Sequence, residues 1–255
     1  MKPNLVERLL AVNHEFYERY AGSFSSSRYS IQPGVRRLLP ELIQAQNLLD
    51  VGCGNGNLAL ALQKNNFTGH YLGIDFSPNL HNRVPTTPDR ARSGERHDHF
   101  ITLELSDPSW PTHLDPQTFN AITCFAVLHH LPGRELQRQT FQHLTALLQP
   151  AGKLYLSVWQ PLNSPKLRKR LIPWQTLDID TAQLDPETDL LLDWRAEDQT
   201  DSPAIRYVHQ FTAPELDELA QNAALTKQDE WYSDGHDGNL ALYQTWQRPE
   251  DENHD

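Results

Sequence analysis

Short apolar runs alternate with helix-like patterns along most of the chain. Runs rich in branched and aromatic residues predict strands at 47–51, 70–75, 100–105, 119–125 and 153–159. Apolar residues spaced three or four apart predict helices at 3–22, 33–44, 57–65, 135–148 and 213–223, the last with Thr212 as its N-cap. Because strands alternate with helices, the pattern predicts a mainly parallel sheet with helices on both faces.

Two later strands, at 225–232 and 239–247, follow the last predicted helix. The loop between them, SDGHDGN, is rich in Gly and Asp, which is typical of a hairpin. The final strand is therefore expected to run antiparallel to its neighbours.

We interpret the chain as one domain with several parts. These are a helical entry at 1–44, a core at 45–159, an insertion at 160–211, a C-terminal helix with two strands at 212–247, and an acidic tail at 248–255. The insertion interrupts the alternation with several prolines, two tryptophans and many acids, so we expect it to cover the active-site edge as a lid. Residues 81–98 are predicted to form a long polar loop.

The net charge of −11 is concentrated in two segments. Residues 177–202 contain nine acids and one Arg, and the tail from residue 248 adds a net −3, so the remainder is neutral. Within that remainder, KLRKR at 166–170 places four cations in five residues. Such a run is either a solvated helix face or a surface that contacts phosphates.

No apolar run approaches the length of a membrane helix, and the first residues do not resemble a secretory signal. The two cysteines, Cys53 and Cys124, form neither a metal-binding spacing nor a disulfide framework, and the histidines have no metal spacing either. We therefore expect a cytoplasmic protein without a membrane contact or a bound metal.

The stretch LLDVGCGNG, at 48–56, contains the pattern D-x-G-x-G-x-G directly behind a predicted strand. It differs from the G-x-G-x-x-G of dinucleotide sites because Asn57 replaces the last glycine. A carboxylate beside a tight glycine turn suits the cationic end of an amino acid. Asp75, at the end of the second strand, is placed to bind both hydroxyls of a ribose, and Phe76 to cover an adenine ring.

The segments LLDVGCGNG, GIDFS, FNAITCFAVLHHL and LLQPAGKLYLSVW resemble, in order and spacing, the class I S-adenosylmethionine-dependent methyltransferases. This resemblance implies a Rossmann-like α/β fold, doubly wound around a seven-stranded, mostly parallel sheet with an antiparallel last strand. It also implies S-adenosylmethionine as the cofactor. The cofactor-binding residues implied are Asp50, Gly52, Cys53, Gly54, Asn55 and Gly56 at the methionine end, Asp75, Phe76 and Ser77 at the ribose and adenine, Asp107 at the adenine amino group, and Phe125 or Ala126 at the sulfonium.

Motifs near both ends of the chain are similar to those of the tRNA wobble-uridine carboxymethyl methyltransferases. Three patterns match: F-Y-x-x-x-A-x-x-F-x-x-x-R at Phe16, Tyr17, Ala21, Phe24 and Arg28, a double His at His129 and His130, and R-Y-x-H-x-F at Arg206, Tyr207, His209 and Phe211. The resemblance implies a methyl ester made on a carboxymethyl group of tRNA. It also implies a small zinc-binding partner protein at the edge strand 100–105.

The chemistry of a carboxylate acceptor fits these residue types. A carboxylate is already ionised at neutral pH, so it needs a forked cation such as Arg28 or Arg206 rather than a general base. With His130 near the base or ribose and Tyr17 beside them, these four are the catalytic candidates. Two other functions stay open: a small-molecule O- or N-methyltransferase whose insertion encloses the substrate and whose proton acceptor is His130, or a non-catalytic cofactor-binding scaffold.

Overall fold

We analysed a computed structural model of the chain, which describes residues 1–26, 30–81, 99–194 and 204–251, with the backbone alone at 21–26, 80, 81 and 99. The first half contains helices α1 (Pro3–Ser26), α2 (Pro33–Leu42), α3 (Asn57–Lys64) and α4 (Pro78–His81), and strands β1 (Asn47–Val51), β2 (His70–Asp75), β3 (His99–Thr102) and β4 (Phe119–Phe125). The second half contains helices α5 (Arg134–Leu147), α6 (Pro165–Arg168) and α7 (Ala213–Asn222), and strands β5 (Leu148–Trp159), β6 (Asp189–Trp194), β7 (Ala204–His209), β8 (Thr226–Ser233) and β9 (Ala241–Gln247).

Seven of these strands form one sheet in the order β3-β2-β1-β4-β5-β9-β8. The pairs from β3 to β5 are parallel, whereas β9 is antiparallel to both β5 and β8. The sequence prediction of a mostly parallel seven-stranded sheet with an antiparallel last strand is therefore confirmed. In the register, Asp50 of β1 lies beside Gly73 of β2 and Thr123 of β4, at the carboxyl end of the central strands.

Helices cover both faces of this sheet because its central strands are buried on both sides. One apolar cluster joins the sheet to α5 and α7 through side chains such as Phe141 and Leu216. A second cluster, on other sheet residues, includes Leu38 of α2 and Leu62 of α3. The doubly wound arrangement thus follows from strands that are apolar on both faces.

Helix α1 is longer than the predicted 3–22 and extends to Ser26. Its apolar stripe of Leu5, Leu9, Val12, Phe16 and Tyr20 is buried, as its helical spacing requires. The stripe packs against the second, smaller sheet, in which β6 and β7 are antiparallel.

The 160–211 segment contains regular structure that the sequence reading did not predict, namely α6 and the β6–β7 pair. Asp189 and Leu190 of β6 lie opposite His209 and Val208 of β7, and this pair of strands packs on α1. Strand β3 is shorter than the predicted 100–105, because Leu103, Glu104 and Leu105 leave the sheet and line a cavity. No helix in the described ranges is both long and apolar enough to cross a bilayer.

Candidate active site

The glycine motif forms the turn between β1 and α3. Gly52, Gly54 and Gly56 have φ values of 70°, 54° and 72°, a left-handed conformation that L side chains rarely adopt. A Cβ on Gly52 would lie 2.0 Å from Cγ2 of Val127, so this glycine also permits close packing. A Cβ on Gly54 would meet nothing within 4 Å, so the backbone there borders open space.

Asp50 is a buried carboxylate at the head of this turn, with 4% of its surface exposed. It accepts hydrogen bonds from the Tyr71 hydroxyl at 2.6 Å and from the Thr123 hydroxyl at 2.7 Å. Burial raises the pKa of Asp50 to about 6, although the two hydrogen bonds oppose the shift, and the nearby Asp75 charge adds to it. A cationic group next to Asp50 would remove this cost.

Asp75 lies across the turn from Asp50. Its Oδ2 accepts from the amide of Gly54 at 2.9 Å, and its Oδ1 accepts from the amide of Ser77 at 3.0 Å. The turn and the end of β2 are therefore joined through one carboxylate, which also faces the cavity.

A cavity of about 280 Å³ opens above the carboxyl ends of the strands. Its walls come from α1, the residues before α2, the glycine turn, the ends of β2, β4 and β5, the chain after β3, and the β8–β9 region. Eleven of the sequence-predicted site residues line it: Tyr17, Asp50, Gly52, Cys53, Gly54, Asn55, Asp75, Phe76, Phe125, Ala126 and His130. The structure thus brings most of the candidates together, and among the lining residues it describes there is neither Lys nor Arg.

The other candidates lie elsewhere. Gly56 caps α3, and Ser77 is fully buried behind Asp75. Asp107, expected at the adenine, is exposed and accepts from the amide and hydroxyl of Ser109, both at 2.8 Å, which lowers its pKa. Glu104 and Leu105 line the cavity in that region instead. Arg28 lies outside the described residues.

Tyr17 and His130 form a hydrogen-bonded pair on the cavity wall. The Tyr17 hydroxyl lies 2.8 Å from Nε2 of His130, and Nδ1 of His130 lies 3.1 Å from the carbonyl oxygen of Tyr207. Because a carbonyl only accepts, Nδ1 carries a proton, so in the neutral ring Nε2 accepts from Tyr17. Asn13 holds this arrangement by donating to the carbonyls of His130 and Tyr207.

Arg206, expected to bind an acceptor carboxylate, is 3% exposed and is not among the cavity-lining residues. Its guanidinium lies 4.6 Å from the Phe16 ring centre and 4.9 Å from that of Trp159, a double cation–π contact. Trp159 does line the cavity, so Arg206 touches the site through this ring. His129 is also buried and turned to the backbone, where its Nδ1 accepts from the amide of Trp159 at 3.1 Å.

His209 of the same motif lies in a buried acid–base cluster beside α7. Its Nδ1 is 3.0 Å from Oδ1 of Asp189 and its Nε2 is 3.5 Å from Oε1 of Glu215, while Tyr207 donates to Asp189 at 2.6 Å. Burial opposes the charged form, but the two carboxylates raise the pKa of His209 overall. This cluster joins β6, β7 and α7, which is a structural role.

Sequence reasoning missed His14 and Glu104, which close the cavity from above. The His14 ring is stacked on Phe76 with centres 4.4 Å apart and planes at 9°, and its Nε2 lies 2.6 Å from Oε2 of Glu104. The available signal was a second stripe on α1, in which Leu10, His14 and Tyr17 recur at helical spacing beside the apolar face.

Comparison with known proteins gives the class directly. A family described as a methyltransferase domain matches residues 24–229. Together with the sheet order, the glycine turn and the Asp50–Asp75 pair, this match defines a class I S-adenosylmethionine-dependent methyltransferase. The chain belongs to that methyltransferase-domain family, and S-adenosylmethionine is its cofactor.

Three similar proteins show the range of the match. The tRNA (carboxymethyluridine(34)-5-O)-methyltransferase ALKBH8 of Macaca fascicularis is 31% identical over 146 residues, which are 57% of this chain and 19% of that protein. A ubiquinone biosynthesis O-methyltransferase of Coxiella burnetii is 31% identical over 115 residues, 45% of this chain and 44% of that protein. The crystal structure of the Burkholderia thailandensis 1,6-didemethyltoxoflavin-N1-methyltransferase has a TM-score of 0.63 at 18% identity and covers 98% of this chain and 92% of that chain, which shows the shared fold.

Proposed function

We propose that the protein methylates the carboxymethyl group of a modified uridine at the tRNA wobble position, forming a methyl ester. The observation that supports this substrate best is the 31% identity to the macaque tRNA methyltransferase, which extends over 57% of this chain. The aligned part spans about a fifth of that relative's length, so the proposal concerns the methyl transfer alone.

The residues around the cavity fit the cofactor. The ionised form of Asp50, which burial disfavours, would be stabilised by a cationic ammonium group. The backbone of Gly54 is open to the cavity. We assign these two to the methionine end, Asp75 to the ribose hydroxyls and Phe76 to the adenine. S-adenosylmethionine supplies, when bound, a methyl group activated by a sulfonium.

At the acceptor end of the cavity, the protein must orient the acceptor carboxylate but need not remove a proton from it. A carboxylate is ionised at neutral pH, so it gives up no proton when it is methylated. The Tyr17–His130 pair then orients the acceptor, since both side chains line the cavity. We assign the carboxylate clamp to Arg28, two positions before the cavity-lining Ser30, and we assign to Arg206 the positioning of Trp159.

A small-molecule O- or N-methyltransferase is the second candidate. His130 has an accepting Nε2 in its neutral form, which would take a proton from a hydroxyl or an amine through Tyr17 or directly. The similarity to the Coxiella burnetii O-methyltransferase, at 31% identity over 115 residues, also favours it. None of the described residues of the 160–211 segment lines the cavity, so in that case the enclosing wall is α1, on which β7 packs.

To test the proposal, the protein is incubated with methyl-labelled S-adenosylmethionine and tRNA that carries carboxymethyluridine, and the RNA is then treated with mild alkali. We expect label to enter the RNA and to leave as volatile methanol, as a methyl ester requires. Label that resists alkali contradicts ester formation and favours a different acceptor atom. Transfer to small phenols or amines, with none to the tRNA, contradicts the nucleic-acid substrate.

Two matched variants show whether transfer depends on the cavity. Asp75→Asn removes a carboxylate that faces the cavity, and we expect cofactor affinity to fall at least tenfold. Asp107→Asn removes one that is exposed and bonded only to Ser109 among the described residues, and we expect no change. Equal losses would contradict this assignment and return Asp107 to the adenine site.

The zinc-binding partner stays a proposal as well. Strand β3 is at one edge of the main sheet, and an exposed edge strand is a ready pairing surface. If the partner is required, adding it to the purified chain should raise transfer to tRNA; transfer at full rate by the chain alone would contradict the requirement.

A further inference from the structure

Four basic side chains, Lys166, Arg168, Lys169 and Arg170, form a charged surface on and just after α6, which we call the basic surface 166–170. The first three are exposed and Arg170 is partly exposed. Within the described parts of the chain, none of the four forms an ion pair with a carboxylate. Their charges are thus available to a ligand.

Several other cations of this acidic chain are paired with carboxylates. The following pairs have nitrogen–oxygen distances of 2.6 to 3.0 Å: Arg37–Asp229, Arg134–Glu215, Arg138–Glu135, Lys153–Glu41 and Lys227–Asp217. Of the described acids that follow the basic surface, Asp180 and Asp185 accept from the amides of Ala182 and Glu187 in local turns. Among the residues that the structure describes, positive charge is therefore concentrated at this surface without a paired carboxylate.

The basic surface 166–170 is held firmly by its neighbours. The amide of Asp193 donates to the carbonyl of Arg170 at 2.9 Å, and the amide of Ile172 donates to that of Leu191 at 3.0 Å, so the segment continues the small sheet beyond β6. Nε of Arg168 donates to the carbonyl of Leu162. Because the backbone is fixed in this way, the four basic side chains extend from a defined place on the molecule.

The surface is connected to the acceptor end of the cavity on two sides. It begins a few residues after Trp159, which lines the cavity. Through β6 it is also joined to β7, whose Tyr207 carbonyl holds the ring of His130. The basic surface is therefore built on segments that also support the acceptor end of the cavity.

We infer that the basic surface 166–170 binds backbone phosphates of the RNA substrate and fixes its register on the enzyme. The inference rests on the proposed tRNA substrate. Two forked guanidinium groups and two ammonium groups match closely spaced phosphates, and phosphate contacts position a nucleic acid without reading its sequence. The remaining acidic surface repels RNA, so this local surface also selects the orientation of approach.

Binding of tRNA as a function of salt tests the inference. In K166Q/R168Q/K169Q/R170Q we expect affinity at 100 mM salt to fall about tenfold or more, because four cations are neutralised. The slope of log affinity against log salt should become shallower by about 3, because each lost phosphate contact removes roughly 0.7 to 0.9 from the slope. In methyl transfer, KM for tRNA should rise while kcat at saturating tRNA stays within about twofold.

A control variant of equal charge separates a local effect from net charge. R36Q/K64Q/R134Q/R138Q removes three exposed cations and the partly exposed Arg138 from α2, α3 and α5, and we expect the parent's affinity and slope. Thermal melts of both variants establish that they fold. K166Q/K169Q leaves the Arg168 contact intact and should give about half of the change in slope.

Three results overturn the inference. Equal losses in the two four-site variants would mean that net charge alone acts. Methyl transfer to tRNA with an unchanged salt slope in the 166–170 variant would contradict phosphate binding by this surface but not the proposed function. If the parent chain neither binds nor methylates tRNA, both the inference and the proposed function are wrong. Retention of an acidic protein by the parent but not by the variant would in that case make that protein the ligand of this surface.

Discussion

The buried carboxylate of Asp50 lowers the stability of the ligand-free protein. Its carboxylate is buried, and burial raises its pKa from 3.8 to about 6. The folded state therefore holds a proton that the unfolded state has lost between pH 4 and 6, so stability falls as pH rises through this range. Above about pH 6 the full cost is present, up to about 3 kcal/mol for a shift of two units.

We expect Asp50→Asn to stabilise the ligand-free protein at pH 7 by about 1 to 3 kcal/mol, because an amide has no charge to bury. The same change should weaken S-adenosylhomocysteine binding at least tenfold. Denaturant unfolding and calorimetric titration measure the two effects. Asp107→Asn is the control, since that carboxylate is exposed, and a less stable Asp50→Asn protein would contradict the argument.

His130 separates the two candidate acceptors. If the acceptor is a carboxylate, His130→Gln and Tyr17→Phe should lower kcat by about tenfold at most, because only orientation is lost. If the acceptor is a hydroxyl or an amine, His130→Gln removes the base and should cost about 10²- to 10⁴-fold. Single-turnover rates on carboxymethyluridine tRNA distinguish the two cases. A 10²- to 10⁴-fold loss of rate on this substrate would contradict orientation as the role of His130.

At the scale of elements, α1 is both a packing helix and the roof of the cavity. One stripe, which contains Leu9 and Phe16, is buried against the small sheet, and the neighbouring stripe faces the cavity with His14 and Tyr17. The contact between His14 and Glu104 is a polar link between this roof and the chain after β3. The side-chain hydrogen bond with Glu104 raises the pKa of His14 against the effect of burial, and the charges of Glu104 and Glu18 add to it.

We expect the contact between α1 and Glu104 to weaken as pH rises. The pKa of His14 is raised in the folded state, so its contribution is fully present below pH 6.5 and is lost as pH rises through the folded value. Hydrogen exchange at the amides of α1, corrected for intrinsic rates, should therefore show less protection at pH 9 than at pH 6. Glu104→Gln should remove this difference, whereas Glu15→Gln, on the exposed side of α1, should keep it.

The sequence predicts the elements best where one pattern dominates. Strands β1, β2 and β4 have the predicted bounds, because runs buried on both faces leave little choice. The capping box between Thr212 and Glu215 likewise places the start of α7. Strands β6 and β7 were missed because the prolines and acids between 160 and 203 hide them, and their burial depends on contact with α1, which is distant in sequence.

At the scale of the whole molecule, the cavity joins parts of the chain from Leu10 to Tyr243. A ligand bound there holds the N-terminal helix, the sheet and the C-terminal hairpin together. We expect S-adenosylhomocysteine at a hundred times its Kd to add about 2.7 kcal/mol of stability and to raise Tm by about 5 to 10 °C. Thermal melts of the parent and of Asp75→Asn test this, and an unchanged parent Tm at saturation would contradict it.

The site could be predicted from the sequence where its residues belong to recognised motifs. Asp50, Gly54 and Asp75 occur at strand ends, so their meeting follows from the parallel sheet alone. Arg206 could not be placed in this way, because its contacts with Phe16 and Trp159 join three separate segments. The salt link from His14 to Glu104 is equally invisible, since it bridges ninety positions and neither residue belongs to a recognised pattern.

The roof formed by α1 has a consequence for the order of catalytic events. Phe76, at the proposed cofactor end, contacts His14 and Tyr17 of this helix, and Tyr17 also bonds His130 at the proposed acceptor end. Any movement of α1 therefore changes the contacts at both ends of the cavity together. Binding or release at one end is thus expected to be coupled to binding or release at the other.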